Sequence, residues 1–214
     1  MSRKKKRRSL GPILYDYESW PIVLQFLFVP APIQKQSLIP RTILLIFMVY
    51  LTGSVFINGS EAWVVKYLHN LNLPVHEFGH PFFGLLGNDM LRSLGGTLAQ
   101  MLMPFIFCLA LWIKPRDLFG ASIALWWVFE NFIDTAPYIA DSIVMQMTLT
   151  SGTTGAEMPY GFHDWNYILS ETGLLMKCDT VASICSGIGY AGMAFCILWG
   201  TFSLFYYNYF QKPE

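Results

Sequence analysis

The sequence predicts an all-α polytopic membrane protein. Three observations carry this expectation. Of the 214 residues 54% are hydrophobic and only 13% are charged, whereas a soluble domain carries about 25% charged residues. Mean hydropathy is +0.41. Charge-free apolar windows long enough for a membrane helix recur along the chain, as at 42–60 and 93–113. This length leaves no room for a separate soluble enzyme. The expected organisation is a basic tail at 1–19 and a single membrane-embedded domain at 20–214. That domain is a bundle of about five transmembrane helices with an extra short interfacial or re-entrant N-terminal helix.

The elements follow in order. Net charge is zero, yet six of the fourteen basic residues lie in RKKKRR, Arg3 to Arg8. In so apolar a chain this run reads as a cytoplasmic tail that orients the first span and touches anionic lipid headgroups. It does not read as a nucleic-acid patch. The prolines at 12, 21, 30 and 32 fit a cleavable signal peptide poorly. WPIVLQFLFVPAPI (20–33) is apolar but short and broken by proline, hence the interfacial piece. The first full span is 42–60, and the second, 62–87, contains LNLPVHEFGHPFFGLLG. The third is 93–113, and the fourth, 118–140, carries Glu130 and Asp134. A Gly/Thr-rich loop occupies 148–161, and HDWNYILSETGLLM (163–176) reads as a short helix capped near Asp164. The last span lies within 180–207, with the small residues of SICSGIGYAGMAF on its packing face. Cys108, Cys178, Cys185 and Cys196 show no CxxC spacing and read as small hydrophobes rather than as disulfide or metal partners.

If the spans alternate from a cytoplasmic tail, Arg41, Arg92 and Lys177 fall inside and Lys114 to Asp117 outside. Counting inward from Glu61 puts His76 at ~22 Å and His80 at ~28 Å; from Asp117, Glu130 lies at ~20 Å and Asp134 at ~26 Å. The polar groups of the second and fourth spans are then expected at one level, in the cytoplasmic half.

Ionisable groups are costly in an apolar segment and mark a site by default. His76-Glu77-Phe78-Gly79-His80 fits H-E-x-x-H, the zinc-protease pattern. Residues i and i+4 share a helix face, so both imidazoles reach one cation. The glutamate beside them can take a proton from metal-activated water. Pro81 is expected to bend or end the helix directly after the motif. A catalytic zinc needs a third protein ligand. Asp134, His163 and Asp141 compete for that role, with Glu130 behind them. His69 is expected to face packing or water. Gln100 and Asn131 are candidates for substrate or oxyanion binding, or for helix–helix hydrogen bonds.

These residues resemble the site-two protease family of intramembrane zinc metalloproteases. The resemblance rests on HEFGH in a membrane segment and on GGTLAQMLMPF (95–105), which is similar to that family's hairpin after the zinc helix. ENFIDTAPYIADS (130–142) is a loose counterpart of the family's later segment, keeping an asparagine, a proline and an aspartate without the LDG triplet. The resemblance covers about 62–142, within a zinc-site core at about 62–176. It implies one zinc ion per chain, Glu77 as general base, and hydrolysis of peptide bonds in membrane-protein or peptide substrates within or near the bilayer. It also implies a bacterial inner membrane; the basic tail is expected to keep the N-terminus cytoplasmic, and no nucleic-acid partner is expected of so apolar a chain. The competing expectation is a non-proteolytic membrane protein with a structural or sensory metal site. Four histidines are too few for a di-iron oxygenase.

Overall fold

The computed structural model describes residues 21–30 and 37–210. The basic tail lies outside these residues. Among them the chain is helical: α1 Ile22–Phe28, α2 Leu38–Asn58, α3 Trp63–Gly84, α4 Asp89–Ile113, α5 Leu118–Ala140, α6 Asp164–Glu171 and α7 Cys178–Phe210. Short 3-10 turns occupy Gly59–Glu61, Gly155–Glu157 and Leu175–Lys177. The apolar stretch near the N-terminus contributes only the seven-residue α1. Local chemistry sets several boundaries. The Asn88 side chain accepts from the Leu91 N–H to start α4, and Asp117 accepts from the Gly120 N–H to start α5. Pro81 does not end α3 directly; the helix runs three residues further, to Gly84.

Three segments are long and apolar enough to cross a membrane: Leu38–Glu61, Asp89–Ile113 and Leu175–Phe205. α3 and α5 are as long but carry the polar residues, which lowers their hydropathy. α3 is strongly two-faced. Trp63, Tyr67, Leu71, Phe78 and Phe82 are exposed and share one stripe at helical spacing, while His69, His76 and His80 lie on the opposite side.

Contacts between helices set their directions. α7 is antiparallel to α5, with Gly189 against Ile133 and Gly200 against Ser122. α4 is also antiparallel to α5, since Gln100 bonds to Thr135 and the Asp117 N–H to the Leu111 carbonyl. α3 is antiparallel to α4, from Gly84 beside Arg92 to His76 over Gly96. α2, however, runs parallel to α5. Arg41 pairs with Asp117 at 2.6 Å, and Trp126 Nε1–H donates to Thr52 Oγ1 at 2.9 Å.

The alternation expected from the sequence therefore breaks at α2 and α3. Arg41 and Asp117, expected on opposite sides, are an ion pair. The cause is where α2 stops. It ends at Gly59 (φ +58°) partway along the bundle, where Val55, Ala62 and Val65 join Trp126, Ile133 and Met193 in one buried cluster. α3 starts there and continues in the same direction. Leu38–Gly84 thus runs in one direction, from the Arg41–Asp117 end towards the Leu85–Asn88 turn.

The two ends of the bundle differ. At the Arg41–Asp117 end, Trp112 and Trp199 donate to the Phe26 and Leu27 carbonyls of α1. Arg116 (φ +54°) donates to the carbonyls of Gln25, Phe26 and Val29, so one guanidinium caps the end of α1. The opposite end holds the Leu85–Asn88 turn, the 141–163 loop and α6. The HEFGH motif lies towards this second end.

Candidate metal centre

α3 presents His76 and His80 one turn apart, with ring centroids 4.9 Å from each other. α4 crosses α3 closely because Gly79 meets Gly95 backbone to backbone, and because Gly96 leaves room for the His76 ring. The Gly-Gly pair of GGTLAQ is thus a packing device that lets an imidazole lie directly on α4.

Hydrogen bonds then determine which ring nitrogens carry protons. Thr135 Oγ1 donates to the Asn131 carbonyl at 2.8 Å and accepts from Gln100 Nε2 at 3.0 Å. Gln100 must therefore offer Oε1, an acceptor, to His76 Nδ1 at 2.9 Å. His80 Nδ1 faces the Arg92 carbonyl, also an acceptor, at 2.9 Å. Both imidazoles are N–H at Nδ1, so in the neutral form each offers a lone pair on Nε2. Metal-binding histidines are oriented in this way by partners behind the ring.

The third group on this site is Asp164, in the first turn of α6. Its Oδ2 lies 3.3 Å from His76 Nε2 and 3.4 Å from His80 Nε2. Among the described residues these three form the group that could hold a metal ion, with ligand atoms all within 4.8 Å of one another. With both rings neutral, three lone pairs converge on one point. One added proton satisfies a single pair; one cation satisfies all three. Tetrahedral ligands held about 2.0–2.1 Å from a zinc ion stand about 3.3–3.4 Å apart, which matches both distances to Asp164. The donor set fits a metal.

The expected third ligands lie elsewhere, each for a physical reason. Asp134 accepts from His69 Nδ1–H, at 3.0 and 3.2 Å to its two oxygens. Asp134 is next to Thr135, whose hydroxyl holds the Gln100 amide that bonds His76, so it reaches the level of the motif, but its carboxylate turns to His69 instead. Asp141 folds back only as far as the Gln146 and Met147 N–H groups, which it caps at 3.0 and 2.8 Å. His163 is 2% exposed and is itself the cap of α6, accepting the Asn166 N–H on Nδ1 at 3.1 Å. That bond uses its lone pair and puts the proton on Nε2, which points towards Asp141 Oδ2 at 3.5 Å. Burial holds this imidazole below its usual pKa, against the pull of the Asp141 and Asp164 carboxylates. Glu130 is fully buried, with neither carboxyl oxygen bonded.

Gln100 is buried and committed at both ends of its amide, so it orients His76 instead of meeting a substrate. Asn131 is fully buried, its Nδ2 given to the Trp127 carbonyl. Glu77 is different. It is exposed, has no hydrogen bond among the described residues, and lines one cavity of about 940 Å³ together with His76, His80, Asp164 and Tyr138. His69 and Asp134 line the same cavity, so His69 faces open space as expected. Asp164 was legible only as a helix cap. The signal was its place beside His163 on a loop near the motif, but a cap and a ligand look alike in sequence. Here the cap is His163, which turns Asp164 inward, and the Tyr138 hydroxyl accepts the Asp164 N–H at 3.2 Å while its ring stacks on His163 at 4.2 Å. Comparison with protein-family models, with curated proteins and with solved structures finds no match for this chain.

Proposed function

We propose that this protein is an integral-membrane zinc metalloprotease that hydrolyses peptide bonds of membrane-associated substrates. The observation that carries the reading is the approach of Asp164 Oδ2 to His76 Nε2 and His80 Nε2 at 3.3 and 3.4 Å, the tetrahedral-edge spacing for these two pairs, with an unpartnered Glu77 on the same cavity. Two imidazoles and a carboxylate are a ligand set of catalytic zinc, which leaves a position open for water. A bound zinc ion supplies Lewis acidity and a water that ionises near neutral pH. The chain's own groups do the rest. Glu77 takes the proton from the attacking water and returns it to the leaving amine as the C–N bond breaks, so the products are one carboxylic acid and one amine. Gln100 and the Arg92 carbonyl hold the two imidazoles so that they need not reorganise. Similarity to the site-two protease pattern supports the same reaction class.

The test uses full-length protein purified in detergent without chelator. Wild type is expected to hold one zinc per chain and to cleave a quenched-fluorescent peptide. Glu77→Gln keeps the zinc and loses about 10²–10⁴-fold in turnover, the usual worth of a positioned base. Unchanged turnover in Glu77→Gln overturns the hydrolase assignment and favours a structural or sensory metal site.

In the bilayer, α2 with α3, then α4, α5 and α7 make four passes, and α1 lies at the interface. The exposed apolar stripe of α3 faces lipid while its histidine face turns inward. Arg41, Lys114 and Arg116 share the end to which α1 is tied, and the Arg3–Arg8 run precedes α1 in sequence. The positive-inside rule then assigns this end to the cytoplasm. In a bacterial inner membrane the N-terminus is cytoplasmic and the metal centre opens towards the opposite, periplasmic side. A periplasm-active reporter inserted at Gly152 is expected to be active, and the same reporter at the N-terminus inactive. The reverse pattern sinks this orientation.

A further inference from the structure

One polar group beside the metal centre is unused by the chemistry assigned to Glu77. Tyr138, on the last turn of α5, is half-buried and lines the same cavity as His76, His80, Asp164 and Glu77. Two contacts fix it. Its ring stacks on His163, with centroids 4.2 Å apart and planes 30° from parallel. Its hydroxyl oxygen accepts the Asp164 N–H at 3.2 Å. A phenol of ordinary pKa, about 10, keeps its one proton at neutral pH. The Asp164 N–H approaches a lone pair, so the O–H bond points away from that amide. Among the described residues the hydroxyl accepts this bond and donates none. The amide and carboxylate of Asp164 belong to one residue, so the phenol oxygen lies within about 8 Å of the ligand atom Oδ2. Other donors on the cavity are spent. Gln100 gives its amide to Thr135, and Arg92 is turned to Asp89 at 3.1 Å. His69 gives Nδ1–H to Asp134, and Lys66 pairs with Glu61 at 2.7 Å. Tyr138 keeps a free donor next to a ligand.

Attack of water on a peptide carbonyl moves an electron pair onto the carbonyl oxygen. A preorganised donor aimed at that oxygen is worth far more in the tetrahedral intermediate than in the ground state. We propose that the Tyr138 hydroxyl donates a hydrogen bond to the oxyanion of this intermediate. As the new C–O bond forms, the carbonyl π pair goes to oxygen, and Tyr138 keeps its proton throughout. On collapse the pair returns to the C=O bond and the C–N bond breaks. The amine leaves with the proton that Glu77 returns. The oxyanion role expected of Gln100 or Asn131 thus falls to Tyr138, and Asp164 both supplies a ligand and aims this donor. The assignment makes Tyr138 a catalytic residue of the proposed protease and rests on that reading.

Full-length protein in detergent is assayed for zinc content, for turnover of a quenched-fluorescent peptide, and for affinity to a phosphinic peptide of the same sequence. The tetrahedral phosphinate carries the charge of the intermediate and reports transition-state binding. Tyr138→Phe is expected to keep one zinc per chain and KM within about twofold, and to lower kcat about 10²–10³-fold, the worth of one oxyanion donor. Affinity for the phosphinic peptide falls by a similar factor. Affinity for the uncleaved peptide, measured by adding Tyr138→Phe to Glu77→Gln, stays within about twofold, since a ground-state carbonyl gains little from the donor. Phenylalanine also removes the acceptor of the Asp164 N–H, so a second arm retains the hydroxyl. A ring-fluorinated tyrosine at 138, assayed below its pKa, is a stronger donor and a weaker acceptor. It is expected to tighten the phosphinic peptide about twofold at unchanged zinc content; a role confined to holding Asp164 predicts weaker binding. If Tyr138→Phe loses zinc, the fluorinated arm decides. Wild-type kcat and phosphinic affinity in Tyr138→Phe, equal loss of substrate and phosphinic affinity, or weaker phosphinic binding with the fluorinated ring each overturn the assignment. Cleavage by wild type with a Tyr138-independent kcat removes the inference and keeps the hydrolase reading. Phosphinic affinity that depends on Tyr138 in a wild type that cleaves nothing does the opposite.

Discussion

Asp164→Ala is expected to empty the metal centre. Zinc content of the purified protein should fall from one per chain to near zero. Affinity should drop about a thousandfold, beyond the ten- to hundredfold typical of losing a partner behind a ligand. The reason is the geometry at its carboxylate, which alone closes the triangle with His76 Nε2 and His80 Nε2 at 3.3 and 3.4 Å. Asp134→Ala is the informative control. It removes the carboxylate that holds His69 and should leave zinc content at one per chain. The two variants discriminate between the third ligand that depth counting favours and the one that the fold supplies. Zinc lost in Asp134→Ala and retained in Asp164→Ala would refute the assigned site.

Gly96→Ala is expected to cost nearly as much without touching a ligand. A Cβ at Gly96 would stand 2.5–2.6 Å from three atoms of the His76 ring, far inside van der Waals contact. The ring has to swing away by about 1 Å, a displacement that costs on the order of 10²-fold in a positioned site. Because the obstacle is a side chain, the fold survives and the thermal midpoint in detergent should move little. Gly79→Ala differs in kind. Its Cβ would meet the Gly95 carbonyl and Ala99 Cβ, so the two helices must part, at about 1–3 kcal/mol or more for overpacking. Metal content and melting should therefore separate the two glycines: one loses zinc first, the other stability. Wild-type zinc affinity in Gly96→Ala would show that the His76 position is not confined by α4.

Much of this was legible in the chain, and the boundary is physical. Span windows read from charge alone lie close to the helices, as in the coincidence of 118–140 with α5, because long apolar runs without breakers leave few alternatives. The alternation of helix directions differs at one place, where α2 runs parallel to α5. Gly59 stops α2 before it reaches the far end, and α3 resumes in the same direction. Window analysis records length and hydropathy but not where along a neighbour a helix starts. Asp134 missed the centre for another reason: it lies beside Thr135 at the level of the motif, but its carboxylate turns to His69 rather than to His76. Gln100 was read as a substrate contact or a packing group. Only the Thr135 and His76 bonds at its two ends show that it sets a tautomer.

The sequence by itself determined the all-helical class, with helices long and apolar enough to cross a membrane, and the sharing of one α3 face by His76 and His80, with Glu77 beside them. Those facts follow from composition and from a 3.6-residue period within a single helix. The tertiary structure alone decided that Asp164 joins them, that Gly96 makes room for His76, and that the centre sits at the end opposite Arg41 and Asp117. Each of these depends on how separate helices are offset along their axes. That offset is set by a few contacts distant in sequence, the Arg41–Asp117 pair and the Gly79–Gly95 crossing, and no periodicity within one helix encodes it.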